Sequence, residues 1–229
     1  MKYRFLFAAV LSVALASTAF AQDADSVEIS PGFKLTSNGL VNIGDISAEV
    51  YHFNGDWTIA EQHDVFEPAS TPPAPTTQPD SHVVTGTFTS ESGPFKLTER
   101  LDSADGVKFS ATVSADKELA TNDLSVSFQL PSDSFSGKQI IIDQQPFTLP
   151  AAPAKAGSPH LLEKDAVHEI DLPTATGTLV ITGNLSILVQ DDREFGDQRY
   201  ALRLHFSPNT GKIKESRIEF QMKLNPTKG

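Results

Sequence analysis

Trp57 and its polar neighbours form the stretch of this sequence best suited to binding a ligand. The tryptophan follows a turn signal at 54–56 and precedes a polar run at 61–64. Sugar rings stack on aromatic faces flanked by planar polar side chains, which supply the hydrogen bonds. An alternative is that Trp57 is a core residue at the start of a strand, because most aromatic area in proteins is buried. The binding residues predicted here are Trp57, Asp56, Glu61 and His63.

A second candidate site is the acidic turn at 191–197, which carries four carboxylates in seven residues. Calcium takes six to eight oxygen ligands, so this turn is a candidate calcium site, although its spacing does not fit an EF-hand loop. Calcium is the one cofactor that the sequence suggests. In the alternative, these acids end a strand and pair with Arg193 and Arg199. The predicted ligands are Asp191, Asp192, Glu194 and Asp197.

The sequence contains no recognisable catalytic constellation. It has no G-x-S-x-G nucleophile elbow, no P-loop and no G-x-G-x-x-G. His168-Glu169 begins like a zinc-protease motif, but Leu172 stands where the second histidine is needed. Glycosidases need two carboxylates at a fixed separation, and the sequence selects no pair among its many acids. We therefore assign no catalytic residue; the acids that came into consideration are Asp56, Glu61, Asp64, Asp191 and Asp192.

Alternation of apolar and polar residues indicates the elements that position these groups. It is clearest at 199–206 and 218–224, on either side of a turn at 207–211. A period of two indicates strands with one buried face, and the turn favours an antiparallel pair. The same pattern gives roughly twelve to fourteen strands, with one or two helical turns at 160–169 as the exception. The sequence thus predicts an all-β fold, a large antiparallel β-sandwich of two sheets.

The chain begins with a predicted signal peptide, residues 1–21. Lys2 and Arg4 precede an apolar run that is too short to span a bilayer, and Ala19-Phe20-Ala21 matches a cleavage site. An exported chain without cysteine relies on its core rather than on disulfides. We therefore expect a periplasmic or extracellular protein that is not inserted in a membrane after cleavage.

Residues 22–229 are predicted to form a single sandwich domain, with a Pro/Thr-rich exposed loop at 67–80. The formal net charge of the whole sequence is −11, and removing Lys2 and Arg4 with the signal peptide makes it −13. A surface of this sign repels nucleic acid and anionic membranes, since both are bound through Lys and Arg. The composition therefore excludes nucleic-acid partners.

The segment from about 124 to 206 resembles the large β-sandwich modules of secreted bacterial glycan-degrading proteins. A hairpin between two Leu-Pro steps and an Asp-x-Arg turn before a Tyr-Ala-Leu-Arg-Leu strand carry the match; the residues are Leu130-Pro131, Gly137, Ile140 to Asp143, Leu149-Pro150, Asp191 to Arg193 and Tyr200 to Leu204. The resemblance implies a super-sandwich similar to the galactose-mutarotase type and an association with poly- or oligosaccharides. No catalytic barrel follows the match here, so any activity is expected in the sandwich itself.

Three functions are consistent with these features. The first is an exported, non-catalytic sandwich that binds glycan or assists glycan degradation. The second is a carbohydrate-active enzyme on the same fold, either a glycoside hydrolase or a polysaccharide lyase. The third is a structural or interaction protein of the cell envelope, because a fold alone does not assign function.

Overall fold

The computed structural model describes residues 26–69, 74–75, 80–153 and 159–227. The predicted signal peptide lies outside these ranges, as does most of the predicted loop at 67–80. In the described ranges, no helix is both long and apolar enough to cross a membrane.

Strands make up most of the described chain, and helix is limited there to single turns. The strands are Val27–Ser30 (β1), Phe33–Leu35 (β2), Val41–Ile43 (β3), Ile46–Asn54 (β4), Ile59–Glu61 (β5), Phe66–Pro68 (β6), Ala74–Pro75 (β7), Ser81–Ser90 (β8), Gly93–Asp102 (β9), Val107–Pro131 (β10), Gln139–Ile142 (β11), Gln145–Thr148 (β12), His160–Pro173 (β13), Gly177–Asp191 (β14), Arg199–His205 (β15) and Gly211–Pro226 (β16). The helical turns are Gln62–Val65 (α1), Ser132–Phe135 (α2) and a 3₁₀ turn at Asp192–Phe195. The prediction of an all-β fold is confirmed.

Two details of the predicted strand pattern are wrong. The helical turns expected at 160–169 belong to β13, which pairs with β14 along its length. Register shifts within this pair interrupt the alternation of side chains, so the period of two was hidden in the sequence. The strand count was also too low, because short pieces of the Pro/Thr-rich segment, β6 and β7, pair with β8.

All sixteen strands join one antiparallel hydrogen-bonded network, with β10 at its centre. The first part of β10 lies between β9 and β16, and its last part lies between β4 and β15. Strand β14 likewise pairs first with β16 and then with β15. The sandwich-like fold thus has one region around β9 and β16 and another around β4 and β15. The long strands β10 and β14 run through both regions.

One hydrophobic core receives side chains from both regions. Phe109 and Phe220 stack with ring centroids 4.8 Å apart, and Phe220 also lies 5.9 Å from the ring of Phe128. The last part of β10 differs from the first because it is buried on both faces. Its apolar residues belong to the core, and the polar residues between them must face the other way. Those polar residues are Ser125, Ser127 and Gln129.

A single carboxyl group lies on the core-facing side of β9. Glu99 is 1% exposed, and its Oε2 accepts a hydrogen bond of 2.9 Å from Nε2 of Gln62 in α1. Oε1 of Gln62 accepts the backbone N–H of Val50 at 2.7 Å, which fixes the orientation of the amide. Burial raises the pKa of Glu99 to about 8. This residue therefore takes up a proton on folding at neutral pH.

We predict that Glu99 makes the protein less stable as pH rises. A glutamate in the unfolded chain has a pKa of about 4.3, so the folded state holds more protons up to the pKa of about 8. Stability should therefore fall between about pH 5 and pH 9, by an amount on the order of a few kcal/mol. Glu99→Gln keeps the acceptor for Gln62 but does not ionise, so its unfolding free energy should fall less over this range.

Urea unfolding at pH 5, 7 and 9 measures this difference. The exposed Glu67→Gln is the matched control, and its pH profile should follow that of the wild type. Parallel profiles for Glu99→Gln and the wild type would contradict the burial of an ionisable group at this position.

Candidate functional site

Polar side chains of β4, β10 and β15 line up across the sheet on the side opposite the core. The strand register places Tyr51, Ser125 and His205 in one row. The next row holds Glu49, Ser127 and Arg203. Directly opposed residues of antiparallel strands share a face, so the rows form one surface. We call it the polar face, and its members are Ser47, Glu49, Tyr51, Ser125, Ser127, Gln129, Gln190, Ala201, Arg203 and His205.

The polar face is buried by its own long side chains. Ser125 and Ser127 on the central strand are fully buried, and Arg203 is 4% exposed. The guanidinium of Arg203 lies 4.4 Å from the centroid of the Phe53 ring. Because Phe53 belongs to β4 and Arg203 to β15, the arginine side chain crosses above the small residues of β10. This contact combines a cation–π interaction with cover for the serines.

Asp123 lies at the end of the polar face nearest the β4–β5 turn. Its Oδ1 accepts a hydrogen bond of 2.7 Å from Nδ1 of His205, and its Oδ2 accepts one of 3.0 Å from Ser125. Oδ2 also lies 3.8 Å from Nη1 of Arg203. Burial works to raise the pKa of Asp123, but these three neighbours outweigh it and the pKa lies below its usual value. The carboxyl group is therefore a paired, structural anion.

Five residues meet where β5 and α1 adjoin the polar face, and we call them the corner cluster. Strand pairing puts Glu61 opposite Tyr51, and the tyrosine hydroxyl donates to Glu61 Oε2 at 2.8 Å. Nη2 of Arg199 donates to the other oxygen of Glu61 at 3.4 Å. Since Arg199 lies on β15 and Glu61 on β5, this contact connects strands on either side of β10 and β4. The corner cluster consists of Glu49, Tyr51, Glu61, His63 and Arg199.

His63 forms a charge pair with Glu49 in the corner cluster. Its Nδ1 lies 2.8 Å from Glu49 Oε2, and its backbone N–H donates to the same oxygen at 3.0 Å. The hydrogen bond with Glu49 is the main reason that the pKa of His63 is raised, to about 9. The imidazole is therefore protonated at neutral pH, and the pair is an ion pair.

The corner cluster also contains the one group in the described part of the chain that can hold a metal ion. One ligand atom each from Glu49, Glu61 and His63 lies within 4.8 Å of the other two. Two carboxylates and an imidazole suit a transition metal such as zinc better than calcium, which takes oxygen ligands. The guanidinium of Arg199 beside Glu61 opposes a cation there.

Trp57 lies on a tight turn between β4 and β5, and it is not a core residue. Oδ1 of Asn54 accepts the backbone N–H groups of Asp56 and Thr58, each at 2.9 Å. The N–H of Trp57 donates to the backbone oxygen of Asn54 at 3.1 Å. This turn gives Trp57 a φ of 64° and leaves its side chain 63% exposed. The alternative that placed it in the core at a strand start is therefore wrong.

The four residues predicted for ligand binding fall into two nearby groups. Glu61 and His63 lie together in the corner cluster, 3.6 Å apart. Asp56 and Trp57 occupy the turn at the other end of β5. The ring of Phe53 connects the groups, because it lies 6.2 Å from the Trp57 ring, edge-on, and beneath the guanidinium of Arg203. The exposed tryptophan thus adjoins the polar face.

Several residues of this site were not predicted from the sequence. Their only signal was a polar side chain at each position between the apolar residues of a strand, as in Ser-Val-Ser-Phe-Gln at 125–129. That pattern equally fits an ordinary wet face. Which strands lie side by side, and so which polar residues meet, depends on pairing between distant segments. The residues missed are Glu49, Tyr51, Asp123, Arg199 and Arg203.

The acids of the turn at 191–197 are held by different partners. Asp191 is fully buried and pairs with Arg193, with Nε and Oδ1 2.8 Å apart. Asp192 accepts a hydrogen bond of 2.6 Å from Gln190, and Asp197 lies 3.1 Å from Arg199. The ion pairs with Arg193 and Arg199 expected in the alternative are present. No three of the four predicted ligands, Asp191, Asp192, Glu194 and Asp197, form a metal-sized group in this described turn.

Several of the residues that carried the resemblance to sandwich modules are held together by Arg193. Its Nη2 donates to the backbone oxygens of Pro150 and Ala152 at 2.9 and 3.1 Å. Its guanidinium also lies 4.4 Å from the ring centroid of Tyr200, whose hydroxyl donates to the oxygen of Pro150. The Asp-x-Arg turn, the second Leu-Pro step and the tyrosine therefore form one clamp with a structural role.

Comparisons with known proteins gave no relative: no protein-family model and no curated protein matches the sequence. The class of the protein is therefore defined by its fold and site alone, as an all-β protein with a buried polar face beside an exposed tryptophan. The resemblance of residues 124–206 to glycan-associated sandwich modules stays a prediction.

We predict that replacing Glu49 lowers the pKa of His63. Glu49→Gln removes the charge and most of the hydrogen-bond preference for imidazolium, so the pKa should drop from about 9 by more than about one unit toward 6.5. An NMR titration of the histidine ring protons measures it. Asp64→Asn, which removes a 70% exposed neighbouring carboxylate, is the control and should change the pKa much less. Equal shifts in the two variants would show that the Glu49 contact is not the cause.

We also predict that Arg193→Lys destabilises the fold by about 2–4 kcal/mol, because lysine cannot reproduce the planar fork between Asp191 and the Pro150 carbonyl. Urea unfolding measures this change. The surface pair of Arg100 and Asp102, with side chains 42% and 33% exposed, supplies the control variant Arg100→Lys, which should cost less than about 1 kcal/mol. Similar losses in both variants would contradict the clamp.

Proposed function

We propose that this protein is an exported, non-catalytic β-sandwich that binds glycans at Trp57. The observation that carries the proposal is the exposed tryptophan in a left-handed backbone conformation, fixed by Asn54 and backed by Phe53. A left-handed backbone costs a bulky residue on the order of 1 kcal/mol or more. A glycine at this position would avoid the cost. Burial of the indole does not offset it, because the side chain is largely exposed. An outward role of the indole explains its presence.

The surroundings of Trp57 suit a sugar ring. An indole face offers a flat apolar surface at low entropic cost, and the hydrogen-bonded turn holds it in place before binding. Asp56 beside it is exposed, so it is available to sugar hydroxyls. Glu61 and His63 at the far end of β5 supply further polar groups. This combination of one apolar plane and several fixed polar atoms is typical of small-ligand sites.

The polar face supports binding rather than catalysis. Burial raises the pKa of Tyr51 well above its usual value, and the nearby Glu49 and Glu61 add to the effect. A tyrosine that keeps its proton does not act as the base of a polysaccharide lyase. Glu49 is 4% exposed and is bound to His63, so it is a poor nucleophile for glycoside hydrolysis. These groups hold the corner cluster together.

Export and the absence of nucleic-acid partners are part of the same proposal. The signal-like residues 1–21 and the strong negative charge of the remaining chain support them. Any metal is proposed to lie at Glu49, Glu61 and His63 and would have to displace the proton of His63; the imidazole favours a transition metal over the calcium predicted from the acidic turn.

The test is a glycan-array screen of residues 22–229, run with calcium and with chelator. Trp57→Ala should lower the affinity for every bound glycan by at least about 10-fold, because a central aromatic anchor is typically worth about 2 kcal/mol or more. Phe195→Ala removes another exposed aromatic side chain, 66% exposed on a separate turn, and should leave binding unchanged.

Trp57→Gly separates binding from folding. Glycine accepts the φ of 64° without strain, so this variant should be at least as stable as Trp57→Ala in urea and should still lose binding. No binding by the wild type across neutral and acidic glycans would contradict the proposal. Binding that survives in both tryptophan variants would place the glycan site elsewhere.

A further inference from the structure

Two carboxylates belong to the turn that carries Trp57 and to the hairpin that contacts this turn. Asp56 precedes Trp57 in the turn, and Glu91 on the β8–β9 hairpin accepts a hydrogen bond of 3.2 Å from Nδ2 of Asn54, the residue that shapes the turn. Both carboxylates belong to exposed residues. Among the ion pairs of the described residues, none includes Asp56 or Glu91. The exposed indole therefore stands on a turn with two exposed carboxylates that form no ion pair among the described residues.

The cations of the adjoining polar face are already paired with carboxylates of the protein. Arg203 lies 3.8 Å from Asp123, and His63 lies 2.8 Å from Glu49. Arg199 is shared among three carboxylates, at 3.1 Å from Asp197, 3.4 Å from Glu61 and 3.7 Å from Asp192. An acidic ligand would have to displace one of these partners to gain a cation of the polar face. Displacement would leave a partly buried carboxylate unpaired, which is costly.

These charges distinguish hydroxyl groups from acidic groups on a sugar. A hydroxyl donates to an exposed carboxylate and forms a charge-assisted hydrogen bond. A ligand carboxylate or sulfate has no proton to donate at neutral pH, and it is repelled by Asp56, Glu91 and the net negative charge of the chain. The indole itself stacks on either kind of sugar. Charge at the turn is therefore what selects between them.

We propose that the Trp57 site takes neutral glycans, whose rings carry hydroxyl groups but no carboxylate or sulfate, and that Asp56 and Glu91 enforce this choice. The inference rests on the proposed function and adds the chemical class of ligand. It makes binding nearly independent of salt for neutral glycans, since no ion pair forms with the ligand.

The experiment compares each neutral polysaccharide with its own acidic derivative. The probes are laminarin, galactomannan and xyloglucan, together with the same polymers oxidised to carboxylates at their primary hydroxyls. Affinity gels or calorimetry measure binding at 0.05 and 0.5 M NaCl. The wild type should bind at least one neutral polymer with less than about 2-fold dependence on salt. It should bind the oxidised form at least about 10-fold more weakly at low salt, with part of the loss recovered at high salt.

The double variant Asp56→Asn with Glu91→Gln tests which charges are responsible. Both amides keep an acceptor oxygen but lose the charge, so neutral binding should weaken by about 3- to 10-fold as the charge-assisted hydrogen bonds are lost, while binding of the oxidised polymer should rise several-fold at low salt. The control variant Asp133→Asn with Glu169→Gln removes two exposed acids from α2 and β13. It changes the net charge equally and should leave the preference as in the wild type.

Each outcome decides between the two proposals. Tryptophan-dependent binding that favours oxidised or sulfated glycans would overturn the neutral class and keep the proposed function. An equal effect of the control variant would overturn the role of Asp56 and Glu91. No binding to any polymer, neutral or acidic, would contradict the proposed function itself.

Discussion

The register of β10 against β4 and β15 is the constraint on which both sides of the sheet depend. Leu124, Val126 and Phe128 reach the core only because Ser125 and Ser127 face the other way. A slip of one residue would exchange the two sets and expose every apolar anchor to the polar side. The burial of large aliphatic and aromatic side chains therefore fixes the geometry of the polar face, although none of those side chains belongs to it.

The polar face combines buried ions with small central residues. Charges removed from water are costly unless they are paired, and here each arginine lies close to at least one carboxylate. Such a network rigidifies the sheet but leaves little freedom for its members to take part in chemistry. Trp57 lies at the rim instead, where its side chain is exposed and its backbone is held by Asn54. The rigid face and the exposed turn are therefore physically distinct.

The sequence was most informative where structure is local. Alternation in β15 and β16, the turn at 54–56 and the Asp-Arg pairing near 193 were readable because their partners are close in the chain. The corner cluster was not, since Glu49, His63 and Arg199 meet only through a sheet that joins distant segments. The exposure of Trp57 could not be predicted from the sequence pattern either. A turn in which Asn54 accepts the hydrogen bonds has the same sequence whether the tryptophan side chain points inward or outward. Register shifts hid β13 in the same way.

Strands β15 and β16 follow one another along the same edge of β10, and both also pair with β14. Residues 199–226 therefore fill a gap between β14, which directly precedes them in the chain, and β10, which ends much earlier, at Pro131. Pairings between distant segments form slowly, so β10 keeps an open edge until this stretch is available. Open edges invite pairing with other chains. This order delays closure of the sheet, and its cost is a dependence on β16 to prevent aggregation.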